Sequence, residues 1–432
     1  TPMSLISTFY TAIFADLEYF STSISAAAPV RNFFALDLAY LLSRVESEGD
    51  SFVCSRLPLL GKAAEQSAIT CEKLVVPDGF NLFGKSRLPV FLHTLFAEGW
   101  QEDGTPLFTL DYSPSKRSYL ALVLQAIRQV TLAFSKVEDK ESLQTEDEAI
   151  KLFEERMAED FDLRASSWVI RRARKYISDV LYEDGRLAAP LAQWLVEPFG
   201  RHGPGAVAGG EKGARKWYFG SVPGFPSMIF RYHTEDNLRP ELMPKVDRIS
   251  HLHVVPKDFK SRRTICIEPK ELQFAQQGLK AILYDLIEKH PLTRRSISFT
   301  DQSRNQVLCK DLRLATVDLK DASDRLRLSL ARILLPKEVF ALLTLARSGF
   351  ISLPSGRTIK NTSLATMGSA LCFPLETLLF WALARSVADQ SKQKQKTVRV
   401  FGDDIILPRD VADIFIKQVE GCGCIVNRTK SC

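Results

Sequence analysis

Histidine is scarce in this chain of 432 residues, with six in all, and the eight cysteines are scattered. The dispersed histidines make no metal-binding array. Cys422, Cys424 and Cys432 crowd one end, but a C-x-C spacing lacks the second ligand pair of a zinc site. A chain this long has no need of disulfide staples, so the cysteines read as thiols of a reducing cytosol. Long apolar runs are missing too. No segment reaches the ~20 apolar residues of a membrane span; the longest candidate, Leu371 to Ala384, carries Pro374 and Glu376. The first residues lack a basic region followed by an apolar core and cleavage site, so no secretory signal is read. Gly209-Gly210-Glu211-Lys212-Gly213 lacks the Gly-Lys-Ser/Thr ending of a phosphate-cradling Walker loop. There is no dinucleotide fingerprint, no internal repeat and no Ser/His/Asp arrangement.

What is present is an ordinary globular composition, 45% hydrophobic and 25% charged, on a chain long enough for a large core and two or three structural regions. A formal net charge of +6 fits a polyanionic partner without identifying one.

The most informative stretch is Val398 to Leu407, V-R-V-F-G-D-D-I-I-L. Two short apolar runs flank a Gly-Asp turn, which reads as a β-hairpin with Asp403 and Asp404 at its tip. Adjacent acids repel each other, so a divalent cation is their natural partner. Hard oxygen ligands suit magnesium or manganese, the ions of phosphoryl transfer. A second acidic site lies upstream in Leu314 to Leu330, L-A-T-V-D-L-K-D-A-S-D-R-L-R-L-S-L. Leu314 to Leu319 reads as a short buried strand with Asp318 near its end. Ser323 or Asp324 is placed to cap the helix that follows. An acid at a strand end beside an acidic hairpin would complete a carboxylate cluster for two metal ions. Asp318 and Asp403 are far apart in sequence, and adjacent antiparallel strands would bring them together.

These residues resemble the levivirus-like RNA-directed RNA polymerases, the catalytic replicase subunits of single-stranded RNA bacteriophages. Asp318 with Ala322-Ser323-Asp324 is similar to polymerase motif A in its phage form. Thr366-Met367-Gly368, followed by Phe373, Leu375-Glu376 and Phe380-Trp381-Ala382, resembles motif B. Phe401-Gly402-Asp403-Asp404 resembles motif C, with Phe401 where Tyr is usual. Val255-Pro256-Lys257, Arg263, Glu268-Pro269 and Gln276 are similar to the basic motif F. Asp301-Gln302 with Asn305 matches the stretch before motif A, and His202 to Ala206 a further signature. After Gly368 the family favours Asn-Gly, where this chain has Ser369-Ala370.

The resemblance implies an α+β right-hand polymerase with palm and fingers, an antiparallel palm sheet and the thumb mostly absent, because the chain stops soon after motif C and reads as truncated. It implies an N-terminal region and part of the fingers over 1–200, fingers with the basic loop over 201–310, and palm over 311–432, with the polymerase catalytic region at about 304–432. The implied activity is RNA-directed RNA synthesis by two-metal nucleotidyl transfer, with Mg2+ or Mn2+, two ions per site, held by Asp318, Asp403 and Asp404 as catalytic residues. Lys257, Arg263, Ser323, Asp324, Gly368 and Ser369 are the nucleotide-binding candidates, with Asp324 reading the ribose hydroxyl. Lys430 is a candidate proton donor to pyrophosphate. Implied partners are template and product RNA, nucleoside triphosphates, and host elongation factors Tu and Ts with a ribosomal RNA-binding protein, in the cytoplasm of an infected bacterium. A reverse transcriptase-like enzyme and a non-catalytic RNA-binding protein derived from a polymerase are the alternatives.

Elsewhere, Ile6, Phe9, Ile13, Leu17 and Phe20 recur at helical spacing and predict an amphipathic helix. Glu138 to Asp160 is acidic and reads as an exposed helix or linker at a region boundary. Arg171, Arg172, Arg174 and Lys175 read as a solvated helix face. Lys257, Lys260, Arg262 and Arg263 lie between two apolar runs, a strand–loop–strand pattern whose cations could neutralise a triphosphate.

Overall fold

The structure of the protein, a computed structural model, describes residues 3–24, 31–108, 111–137, 143–196, 199–219, 247–428 and 431. Two compact units divide the chain. One comprises 1–145 with 256–263, the other 146–255 with 264–432.

The first unit is helical, with α1 (Met3–Ile24), α2 (Arg31–Glu48), α3 (Leu57–Thr70), α4 (His93–Gly99) and α5 (Pro114–Leu132). Helix α5 starts where its sequence says it should: Ser113 Oγ accepts the Lys116 backbone N–H, and Pro114 needs no partner at the first position. The helices enclose Phe34, Phe52, Phe96, Trp100, Ile127 and Val130. The expected stripe of α1 holds at Ile6, Ile13 and Leu17, which pack in or against the core, and departs at Phe9; the Phe20 side chain lies outside the described residues. Tyr10, Phe14 and Leu17 are buried, whereas Phe9 is 42% exposed. Tyr10 can go inside because its hydroxyl donates to Val130 O at 3.2 Å.

The second unit holds α6 (Glu146–Ala158), α7 (Ser167–Leu181), α8 (Ala189–Val196), α9 (Lys270–Lys289), α10 (Ser303–Leu308), α11 (Ala322–Arg325), α12 (Leu328–Leu334), α13 (Lys337–Leu345), α14 (Cys372–Ala388) and α15 (Ala412–Gly421). The strands are β1 (Tyr182–Glu183), β2 (Arg186–Leu187), β3 (Ile249–Pro256), β4 (Arg262–Ile267), β5 (Leu314–Val317), β6 (Leu319–Lys320), β7 (Phe350–Ser352), β8 (Thr358–Lys360), β9 (Arg399–Phe401), β10 (Asp404–Pro408) and β11 (Ile425–Val426). They form a three-stranded antiparallel sheet β5-β10-β9, a β11-β6 pair, a β1-β2 hairpin and a four-stranded sheet β4-β3-β7-β8 in which β3 and β7 are parallel. The architecture is therefore α+β, as expected.

Helix α14 is apolar on every side and buried from Pro374 to Ala384, which is how a core helix reads. Pro374 is tolerated because it falls in the first turn, where backbone N–H groups have no helical partner. It packs against α7, whose cations are engaged: Arg172 pairs with Asp389 at 2.9 Å and Lys175 with Asp179 at 3.1 Å.

The reading of 138–160 as an exposed helix holds over α6, most of whose polar residues face solvent while a few apolar ones anchor it; 138–142 lie outside the described residues. Helix α6 buries Phe153 and Met157 in a small core with Leu252, Cys266, Ile351 and Leu353. Its acids are a first-turn feature, with Glu146, Asp147 and Glu148 at the N-terminal end and Arg156 in the last turn, the arrangement that suits the helix dipole. No described helix is long and apolar enough to cross a membrane.

Candidate active site

The hairpin β9–β10 turns on Gly402 and Asp403, with Phe401 paired to Asp404. Only Gly402 of the two has positive φ, +64°, the pattern of a II′ turn with glycine at its first central position. A side chain there would also collide with Phe373, whose Cε2 lies 2.8 Å from the built Cβ. The Gly402 backbone N–H donates to Thr377 Oγ1 at 2.9 Å, fastening the tip to α14. Phe401 packs edge-on against Phe373 at 4.7 Å, a contact that needs a ring and no hydroxyl.

On its other edge β10 pairs with β5, Ile405 opposite Val317 and Ile406 opposite Thr316. One further step of that register sets Asp318 across from Asp404. The strand breaks at Asp318, because β6 leaves this sheet and pairs with β11. Asn427, just after β11, holds the break: its backbone N–H donates to Asp318 O at 2.8 Å and its amide to Asp318 Oδ2 at 2.7 Å. The Asp318 N–H donates to Ser431 Oγ at 3.2 Å. Sequence reasoning searched this terminal stretch for a lysine and passed over Asn427. Lys430 lies outside the described residues.

Neither Ser323 nor Asp324 caps the next helix. Asp321 occupies the cap position with φ +49° and makes no side-chain cap, and Ser323 and Asp324 lie inside α11. Both are buried, because α6 covers them. Arg156 Nε donates to Asp324 Oδ2 at 3.1 Å. Burial pushes the Asp324 carboxyl up to about 6, against the opposing pull of Arg156. Arg156 is absent from any sequence expectation, since its partner is 168 positions away.

Glu376, 6% exposed on α14, was noted in sequence only as part of a motif. Burial, then the charges of Asp403 and Asp324, push its carboxyl up to about 8. Asp403 and Asp324 therefore both lie within electrostatic reach of Glu376.

The loop before α14 is clamped from behind. Cys266 N–H donates to Met367 O at 2.7 Å. Gly368 has φ +110°, and a Cβ there would sit 2.2 Å from Cys266 O, so close strand approach and backbone both demand glycine. The Ser369 hydroxyl donates to Gln276 Oε1 at 3.1 Å and accepts the Leu371 N–H at 3.3 Å. Ala370 N–H donates to the same Gln276 oxygen at 3.1 Å, and Gln276 Nε2 donates to Ala346 O at 2.8 Å. The hydroxyl that stands where the family has an amide is thus committed within the protein.

The strand–loop–strand reading of the basic stretch holds in β3 and β4, and the loop itself clusters with the first unit. There Lys260 Nζ donates to Ser55 O at 2.9 Å and Arg262 Nε to Gln144 O at 2.9 Å. Lys257 and Arg263 are exposed. Asn305 Oδ1 accepts from Arg399 Nε, and Asp301 Oδ1 accepts the Ser303 N–H at 2.8 Å, structural duties both. His202 to Ala206 line a separate cavity of about 550 Å³ with Lys216 and Trp217.

Among the described residues no three metal-type side chains converge to enclose an ion. The carboxylates still fit a hard cation. Magnesium is commonly held by one or two carboxylates together with substrate phosphates rather than by an all-protein cage, and two acids facing across adjacent strands provide that donor set.

Residues 232–432 match the family described as RNA replicase, beta-chain. The chain is 40% identical over 181 residues to the RNA-directed RNA polymerase subunit beta of Enterobacteria phage SP, covering 41% of this chain and 31% of that one. It is 38% identical over 192 residues to the subunit of the same name from Qbeta virus (strain MX1), covering 43% and 32%. It is 34% identical over 181 residues to the RNA-directed RNA polymerase beta chain of Escherichia phage MS2, covering 41% and 32%. The matches thus span about a third of the length of these relatives. Among solved structures, the RNA-dependent RNA polymerase of a human picorbirnavirus aligns with a TM-score of 0.46 at 15% identity, covering 74% of this chain and 66% of that one.

Proposed function

We propose that this chain, whose residues 232–432 match the RNA replicase beta-chain family, is an RNA-directed RNA polymerase that extends an RNA 3′-hydroxyl by template-directed nucleotidyl transfer. The observation that carries the reading is the strand register that sets Asp318 across from Asp404, with Asp403 at the adjoining turn. In this reading 311–432 form the palm, 201–310 the fingers with the basic loop, and 1–200 the N-terminal region and part of the fingers.

Asp318, Asp403 and Asp404 would hold two divalent ions, magnesium or manganese, which when bound neutralise the phosphates and acidify the 3′-hydroxyl. Asn427 keeps the Asp318 carboxylate oriented, and Thr377 keeps the turn in place, so the acids are preorganised before any ligand arrives. Asp324, beside the buried Ser323, accepts a hydrogen bond from the ribose 2′-hydroxyl, which a deoxynucleotide lacks. Gly368 lets backbone approach the template–product pair. Ser369 acts on the nucleotide through the shape of the loop that Gln276 clamps. Lys257 and Arg263 are exposed cations suited to a triphosphate, and Lys430 would return a proton to pyrophosphate. Host elongation factors Tu and Ts and a ribosomal RNA-binding protein are proposed as partners, in the cytoplasm of an infected bacterium.

Ribonucleotide incorporation on a primed RNA template, with magnesium or manganese, tests the reading. Synthesis by the chain and none by a folded Asp403→Asn variant is the expected result. Undiminished synthesis by Asp403→Asn would sink it.

A further inference from the structure

Arg156 is held in place from every side. Its backbone oxygen accepts from the Arg327 guanidinium, and Met157 O accepts from Thr362 Oγ1 at 2.8 Å. Glu159 receives Arg325 through two bonds of 2.6 and 3.0 Å. These contacts fix the end of α6 on the segment that carries Asp324. From that anchored position Arg156 Nε reaches Asp324 Oδ2, Nη1 lies 3.7 Å from Asp321, and Nη2 lies 3.5 Å from Thr264 Oγ1. Its guanidinium carbon stands 5.8 Å from the centre of the Phe153 ring. The Arg156 side chain is 13% exposed and that of Asp324 8%, so the pair is shielded from solvent and its geometry is set by packing.

The two oxygens of Asp324 differ. Oδ2 accepts from Arg156 Nε, and the hydrogen bonds of the described residues include none to Oδ1. A carboxylate that reads a hydroxyl must be ionised, because only then is it purely an acceptor, and it must be aimed. Burial works against the first condition, and a carboxylate free to rotate fails the second. One nearby guanidinium meets both needs.

We propose that Arg156 is the positioning residue for sugar selection, holding Asp324 through Oδ2 so that Oδ1 is presented to the ribose 2′-hydroxyl. The proposal rests on the polymerase reading. It adds a specificity determinant on α6, outside the family-matched segment 232–432.

The test compares the unmodified protein with Arg156→Met, Arg156→Lys, Asp324→Asn and the Arg156→Met/Asp324→Asn double variant. The readout is the ratio of ribonucleotide to deoxyribonucleotide incorporation, with folding checked by circular dichroism. Arg156→Met and Asp324→Asn should each lower the ratio about tenfold or more, and the double variant should lower it no further, because both act on one hydrogen bond. Arg156→Lys should restore part of it; should the Met variant not fold, the Lys variant carries the test. Arg357→Gln breaks another α6 ion pair, to Glu154, and should leave the ratio unchanged. A wild-type ratio in folded Arg156→Met or in Asp324→Asn, or a ratio in Arg156→Lys no better than in Arg156→Met, overturns the proposal while leaving the polymerase reading intact. No incorporation by the unmodified protein overturns that reading instead, and the role of Arg156 with it.

Discussion

Two regions of the second unit bury acids, and they treat them in opposite ways. Behind the Gly368 loop, Glu268 is 1% exposed and accepts from Ser348 Oγ. Burial pushes the Glu268 carboxyl up, against the opposing pull of the Ser348 and Gln276 hydrogen bonds and the Arg347 charge. The Arg347 guanidinium, 6% exposed, donates to Leu364 O, Asn361 O and Ser363 O at 3.2, 2.9 and 2.7 Å. Arg248 donates to Thr344, Leu345 and Arg347 carbonyls beside it. At the carboxylate cluster the balance is reversed. Glu376 has the charges of Asp403 and Asp324 as neighbours, and only a long contact with the Cys372 thiol, at 3.9 Å, eases it. The first region is saturated with hydrogen bonds and serves as structure. The second gathers acids close enough to raise one another, a repulsion that a cation would relieve.

Removing a partner should therefore wreck the first region and spare the second. The largest effect is expected from Arg347→Met, which strands three carbonyls and a buried acid; a loss of roughly 3–5 kcal/mol should appear in urea unfolding. Next comes Gly368→Ala, where positive φ and the Cys266 carbonyl both resist a methyl group; about 2–3 kcal/mol is expected in the same measurement. Asp403→Asn removes a charge from the crowded side. Its stability should match or exceed the parent's by up to about 1 kcal/mol, although synthesis is lost; a marked fall in stability would erase the contrast between the two regions.

The smallest effect sharpens the comparison through pH. The folded-state pKa of Asp324 is raised to about 6 from an ordinary 3.8. Between those values the folded protein holds a proton that the unfolded chain has released. Its contribution is thus fully present below pH ~4 and lost as pH rises through about 6. Asp324→Asn cannot titrate, so its stability relative to the parent should rise across that window. A flat difference from pH 4 to 7 would mean that Arg156 offsets the burial of Asp324 in full.

Much of the core around the hairpin was legible because its signals are local. Glycine between β-branched runs at 398–407 can hardly be anything but a hairpin, and β5 follows from Leu314-Ala315-Thr316-Val317 by period alone. What the sequence did not show has a common cause. Tyr10 goes inside because its hydroxyl reaches Val130, and Asp324 left the cap because α6 brought Arg156 to it. Ser369, a nucleotide-binding candidate, also donates its hydroxyl to Gln276. Each depends on a partner more than ninety positions away, which no window of sequence contains.

By itself, the sequence determined the hairpin with its acids and the strand that ends at Asp318, because backbone propensity and hydrophobic period act over a few residues. Only the tertiary structure decided that β5 and β10 pair with Asp318 and Asp404 at adjoining strand ends, that Asn427 and Arg156 hold two of the acids, and that burial near Asp403 and Asp324 pushes the Glu376 carboxyl up. Strand register, burial and electrostatic coupling are properties of distances in space, and the chain has those only once it is folded.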